Sequence, residues 1–292
     1  MSKYGRYIGG AMCLLSAICL FIAGTTYWQK TACYENYVTI INQTGSYEEE
    51  LCNHIDEKQE TLEKDKRMNF TFWGEEADVF ISDKDNLRQT KTTLLTIRGS
   101  SEYLIPYGKI LKKEDTKGCL MGKKTAEKLF GTYRAENLYV KYENQMFQVR
   151  GILNEPEDIF VIQKQSTIDA MLNRIIIKRK PHSTVMETVE NLCVTYGVGG
   201  KALRFDFYRS FSWILELIPG KWSDFSGWKQ NTSAAKEEWQ LLKGSEKSMS
   251  ELKFLSHTKK AMGCFACGCV AAVLFMNTIP KKIPNKKSAV SK

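Results

Sequence analysis

The densest cluster of reactive side chains in this 292-residue chain is Cys264-x-x-Cys267-x-Cys269. Thiolates at that spacing can ligate a soft metal, but a closed tetrahedral site needs a fourth donor, and no His or carboxylate stands nearby. The surrounding segment is uncharged, so small residues packing in an apolar helix is the better explanation. Cys33 and Cys52 are a candidate disulfide in an oxidising compartment. Cys119 and Cys193 lie in apolar strings and read as small hydrophobes. Catalytic options are thinner still. His54 falls on a polar helix face, and His182 follows Pro181 at a helix start. No Ser-His-Asp order, His-x-x-x-His or Gly-x-Ser-x-Gly pattern is present. The chain reads as no enzyme, with no cofactor and no metal site of its own.

The elements that would position these residues begin with two apolar anchors. Tyr7–Gln29 contains no Asp, Glu, Lys or Arg. As a helix it is roughly 34 Å long, enough to cross a bilayer with some tilt. Lys3 and Arg6 precede it, and Tyr27 and Trp28 suit an interfacial aromatic belt. A cleaved signal peptide shares the basic start and apolar run, but the run is long and Ile22-Ala23-Gly24 is a poor cleavage site. An uncleaved anchor is favoured. Ala261–Ile279 is the second uncharged run, roughly 28 Å as a helix. Lys259 and Lys260 bound it on one side, and a tail of lysines without acids follows Pro280. The positive-inside rule puts that tail and the N-terminus in the cytoplasm. Residues 30–260 then lie outside, giving a two-pass protein of the cell membrane.

The net charge of +9 suggests nucleic acid only until it is located. Residues 31–258 hold 32 of the basic residues against all 33 acids. The excess sits at the membrane flanks, where it sets orientation and can touch anionic lipid. A near-neutral outer domain lacks the basic excess that phosphate backbones require, so nucleic acid is excluded as a partner.

Between the anchors, Ser46-x-x-Glu49 has the capping-box pattern and opens an amphipathic helix to about Lys66. Strand patterns follow at Asn69–Trp73, Val79–Ile81 and Thr92–Ile97. Gly118–Gly122 reads as a buried strand running into a helix, Lys123–Phe130, that Gly131 terminates. Leu138–Tyr142 and Met146–Arg150 alternate around Glu143-Asn144-Gln145 and form a hairpin. Ile159–Ile162 is a further strand. Arg174–Lys178, His182–Tyr196 and Ala202–Phe207 read as strand, helix and strand. Elements mixed without strict alternation make the class α+β, with one transmembrane helix at each end. Phe207, Tyr208, Phe211, Ile214, Leu215 and Ile218 recur at helical spacing until Pro219-Gly220, and Trp222 to Trp228 follows, fitting either a membrane-interface element or an ordinary core helix.

Four segments fall in a recognisable order: Gly108-Lys-Ile-Leu-Lys-Lys-Glu-Asp115, Gly118-Cys-Leu-Met-Gly122, Ala126-Glu-Lys-Leu-Phe-Gly131 and Phe147-Gln-Val-Arg-Gly-Ile-Leu153. The pattern resembles the extracytoplasmic core domain of MacB-like ABC transporter permeases, related to the FtsX family, over about Phe70 to Phe207. The motif residues are structural, and the resemblance carries over no catalytic position. It implies a domain outside the membrane whose helices are moved by a cytoplasmic ABC-type ATPase, for export or mechanotransmission. Such permeases have three more spans after this domain, whereas one clear span follows here. No Walker A pattern is present, so ATP would act only through a partner ATPase.

The expected organisation is therefore an N-terminus over 1–6, a first span over 7–29 and a membrane-proximal helix over 30–66. The MacB-like core covers 67–207, an amphipathic and aromatic linker 208–260, the second span 261–279 and a basic tail 280–292. Gly9, Cys13 and Ala17 lie four apart, as do Cys264, Gly268 and Ala272, giving two small-residue faces suited to close helix packing. Expected partners are the ABC-type ATPase, a larger permease or further copies of this chain, and the lipid bilayer. The alternative function is an anchored extracellular binding or sensor module without transport activity.

Overall fold

The computed structural model describes residues 3–34, 37–42, 45–105, 108–154, 158–180, 183–208 and 212–278. It divides into a sheet-based unit, Tyr34–Leu252, and a helical unit formed within Met1–Cys33 and Lys253–Lys292.

The helical unit contains α1 (Lys3–Thr31) and most of α7 (Met249–Thr278). Both are long and apolar enough to cross a membrane. The helix α7 begins at Met249, well before the expected Ala261, because its polar first turns are capped and packed in the sheet unit. The basic tail after Pro280 lies outside the described residues.

In the sheet unit the strands are β1 (Tyr37–Ile41), β2 (Phe70–Asp83), β3 (Gln89–Arg98), β4 (Gly118–Gly122), β5 (Tyr139–Tyr142), β6 (Gln145–Leu153), β7 (Ile159–Gln163), β8 (Arg174–Lys178) and β9 (Lys201–Ala202). The helices are α2 (Glu49–Thr61), α3 (Lys123–Phe130), α4 (Val185–Tyr196), α5 (Ser212–Leu217) and α6 (Phe225–Gly244). The sheet order is β3-β7-β4-β6-β5-β2-β8-β1-β9, and β2 also pairs with β3, so the first six strands close into a ring. This closure depends on the length of β2, which pairs β8 near its start, β3 along most of it and β5 at its end. A register shift between Glu76 and Val79, with Asp78 at φ 66°, bends it part-way. Val79–Ile81 thus continues the strand begun at Phe70. Mixed strands and helices around this ring, with an apolar helix at each end of the chain, make the fold α+β.

Alternation along β6 sends Phe147, Val149 and Leu153 inward. Phe147 and Val149 share the ring's core with Ile81, Leu94, Met121, Leu129 and Phe160. Fully burying one such side chain stabilises by about 1.5–3 kcal/mol. A second core packs α2 and α4 on β1 and β8 through Cys52, Ile55, Leu192 and Tyr196. Glycines at positive φ, Gly131 (73°) and Gly197 (70°), end α3 and α4, where a Cβ would strain the left-handed backbone.

Several boundaries differ from expectation. Segment 30–66 supplies a sheet strand, β1, besides a helix, and from Tyr34 onward it belongs to the sheet unit. Its helix starts at Glu49 with no side-chain cap. The Ser46 hydroxyl is occupied elsewhere, accepting from Leu172 N–H at 2.9 Å. The hairpin turn holds two residues, Glu143 and Asn144, both at positive φ (46° and 63°), as a tight turn matching the strand twist requires. The helix α4 starts later than His182, because Thr184 caps it in a reciprocal box with Glu187. The last strand stops at Ala202 because the chain coils into a short helix at Phe205–Tyr208.

Candidate functional site

The two small-residue faces expected in the spans can be followed in the helical unit. Ala17 is buried on α1 and Gly268 on α7, with Cys13 and Cys264 half-buried and Ala272 partly covered. The helices run antiparallel. A Cβ added at Gly24 would lie 2.7 Å from the Phe265 ring, and one at Gly268 would lie 3.3 Å from Phe21. At the far end, a Cβ at Gly10 would lie 2.6 Å from Thr278 Oγ1. Gly9, by contrast, faces open space. The packed α1 positions are therefore Gly10, Cys13, Ala17 and Gly24, one residue offset from the expected start. Without a hydrophobic drive between helices in lipid, this close approach is what holds such a pair. The Phe21 and Phe265 rings meet at 6.2 Å, and Tyr27 stacks on His257 at 6.0 Å. Lys30 and Lys260 approach the Tyr27 face at 5.6 and 5.8 Å, a cation–π grouping at the charged end of the pair.

The sheet unit holds the first turn of α7 in a polar socket. Ser248 accepts from Glu251 N–H at 3.3 Å, and Glu251 Oε2 accepts from Ser248 N–H at 2.7 Å. This is a capping box, Ser248-Met-Ser-Glu251, and it satisfies donors that a helix start otherwise leaves orphaned. Ser250 N–H and its hydroxyl both donate to the Leu104 carbonyl, at 3.1 and 3.0 Å. Met249 inserts into a core with Trp73, Leu104, Leu111 and Ile176. The motif was readable in the sequence as a Ser-x-x-Glu ahead of a long helical run; the expectation that the helix starts at Ala261 hid it.

Beside that turn lies a buried cation. Arg174 on β8 is 5% exposed, its guanidinium 4.6 Å over the wholly buried Trp73 ring. Its Nη2 donates to Glu246 at 2.5 Å, while Nε, Nη1 and the Trp73 indole N–H have no protein partner among the described residues.

Elsewhere the expected residues are dispersed. Cys52 is a free, buried thiol within the α2 core, and burial pushes its pKa up to about 11. The side chain of Cys33 lies outside the described residues, as does His182. Cys264, Cys267 and Cys269 are free, and no cluster of His, Cys, Asp or Glu able to hold a metal occurs among the described residues. Among the described residues of the aromatic stretch, Leu215, Trp222 and Phe225 are 70%, 74% and 81% exposed. Behind it, Trp239 of α6 packs on Phe207 and Tyr208.

Comparison with protein-family models and with curated proteins finds no match. Solved structures do align. The periplasmic region of MacB from Actinobacillus actinomycetemcomitans has 15% identity and a TM-score of 0.40, covering 56% of this chain and 85% of that one. The extracellular domain of the ABC-type transporter YknZ from Gram-positive bacteria has 17% identity and a TM-score of 0.41, covering 57% of this chain and 98% of that one. One of these is a periplasmic region and the other an extracellular domain.

Proposed function

We propose that this chain is a two-pass membrane subunit of a MacB-like ABC transport system, in which a partner ATPase moves the paired helices and the sheet unit responds. The carrying observation is α7 itself. Its first turn is bonded into the sheet unit through Ser248, Ser250 and Glu251, and the same helix continues as an apolar span. A displacement of the span is therefore delivered to a fixed point beside Trp73 and Arg174. Small residues between α1 and α7 let the pair move as one body. Both termini would lie inside and the sheet unit outside, as the lysine distribution favours.

Purification of the tagged chain in mild detergent, with mass spectrometry of what accompanies it, tests the proposal. Recovery of an ABC ATPase, alone or with a larger permease, is expected. Repeated recovery of the chain alone would overturn it in favour of an anchored binding module. One observation favours that second reading: an open, strongly charged cleft at the end of β8.

A further inference from the structure

The outer domain is near neutral as a whole, yet the fold gathers charge at one place. The turn from α2 to β2 carries Lys64, Lys66 and Arg67, and the end of β8 carries Lys178, Arg179 and Lys180. These segments are distant in the chain and meet because β2 and β8 pair antiparallel, Phe70 opposite Ile177. Lys178 N–H donates to the Asn69 carbonyl at 2.8 Å, and Lys180 Nζ to the Asp65 carbonyl at 3.1 Å. All six cations line one open cavity of about 650 Å³. That volume is within the usual range for a ligand pocket.

The balance of charge is one-sided. Asp65 is the only acidic residue among the described lining residues, and Lys66 pairs with Glu63 at 2.9 Å. Two guanidiniums are held in place by carbonyls: Arg67 by Leu62 and Glu60, at 2.8 and 2.9 Å, and Arg179 by Ser183 at 2.9 Å. Ser183, Thr188, Asn191 and Thr195 line the remaining wall, and among the described lining residues only Leu62 and Met68 are apolar. Such a wall suits charged oxygens and offers little to a greasy ligand. Fixed guanidinium forks and mobile ammoniums are the two complementary ways of holding phosphate. Like charges gathered in one cleft repel, a cost that a bound polyanion would offset.

We propose that this cleft binds a ligand carrying several phosphate groups. The site goes beyond the coupling role of α7 and does not depend on it. The same chemistry is found in soluble polyphosphorylated molecules and in the headgroups of an anionic lipid surface.

The test uses the full chain in phosphatidylcholine nanodiscs. Sodium tripolyphosphate is titrated by calorimetry, and capture of separate phosphatidylglycerol vesicles is measured by flotation. Saturable binding that weakens with salt is expected. The Lys64→Glu/Lys178→Glu double variant should lose about tenfold or more in affinity, since two charge-assisted contacts go. Lys64→Gln/Lys178→Gln should fall between that variant and the parent. Lys84→Glu/Lys201→Glu, which alters exposed cations elsewhere, should bind as the parent does. Melting curves confirm that the variants are folded. Vesicle capture that tripolyphosphate competes away supports the site and assigns it to lipid headgroups; tripolyphosphate binding without vesicle capture supports it for soluble ligands. Binding of neither probe, or equal loss in the Lys84/Lys201 control, overturns the proposal.

Discussion

Asp115 and Arg150 form a two-pronged ion pair, Nε to Oδ2 at 2.8 Å and Nη2 to Oδ1 at 3.1 Å, closed against Gly118. A Cβ at Gly118 would overlap the Asp115 carboxylate and lie 2.8 Å from Arg150 Cγ. At Gly151 a Cβ would likewise fall 2.8 Å from that of Lys109. The recurring glycines and Asp of the Gly108–Leu153 pattern are thus one packing unit around the parallel pair β4 and β6.

Gly118→Ala should destabilise the sheet unit by about 1–3 kcal/mol, the usual cost of forcing extra volume into a tight contact. Asp115→Asn should cost under about 1 kcal/mol, because the pair is partly solvated. Chemical denaturation of the two variants checks the order. Equal effects would show that the ion pair, rather than the close approach, carries the motif.

At the foot of α7, Ser248→Ala and Glu251→Ala each remove half of the capping box. Each should cost about 0.5–2 kcal/mol. Amide exchange in residues 248–252 should quicken in both, ahead of exchange in β6. Unchanged protection there would mean that Met249 and Ser250 alone anchor the turn.

In the helical unit, Gly24→Leu must displace the Phe265 ring, whereas Gly9→Leu enters open space. Cysteine crosslinking between α1 and α7 should fall sharply in the first variant and persist in the second. Gly268→Leu should behave like Gly24→Leu, since Phe21 covers it. Complex formation that survives Gly268→Leu would count against this face as a packing seam.

Asp158 supplies a pH test. Burial pushes its carboxyl up, but the ammoniums of Lys124 and Lys128, each at 2.8 Å, outweigh burial and hold it below the ordinary 3.8. A depressed folded value means stability is fully present above the unfolded pKa, near 4, and is lost as pH falls through the folded one. Asp158→Asn should flatten the fall in stability between pH 5 and the acid limit, relative to the parent, by about 1 kcal/mol or less for so exposed a pair of lysines. A parallel acid slope in both proteins would rule out this contribution.

Trp222 and Phe225 are 74% and 81% exposed, side chains of the kind that enter a lipid interface. Brominated lipid should quench the emission of the parent more than that of Trp222→Phe. Identical quenching would leave the stretch without a lipid contact.

Much of the core was legible residue by residue. Gly118–Gly122 followed by Lys123–Phe130 and Gly131 carries local rules that agree: a short apolar run, helix formers, then a glycine able to take positive φ. Strand β1 was missed because Tyr37–Ile41 is short and follows the membrane anchor, and only pairing with β8 and β9 makes it a strand. Both halves of β2 read as strands, but their being one strand did not, because they join across a bulge that has no apolar signal.

Composition and periodicity alone determined the two apolar helices, the near-neutral domain between them and the α+β class, because each rests on properties of a local stretch. Tertiary structure decided which Ser-x-x-Glu caps a helix: Ser46 is taken by Leu172, while Ser248 is left to pair with Glu251. It also decided that Gly10 rather than Gly9 meets α7, and that Lys64–Arg67 joins Lys178–Lys180 in one cleft. Those outcomes depend on which distant segments the sheet and the helix pair bring within a few ångströms, and local pattern does not encode distance across the fold.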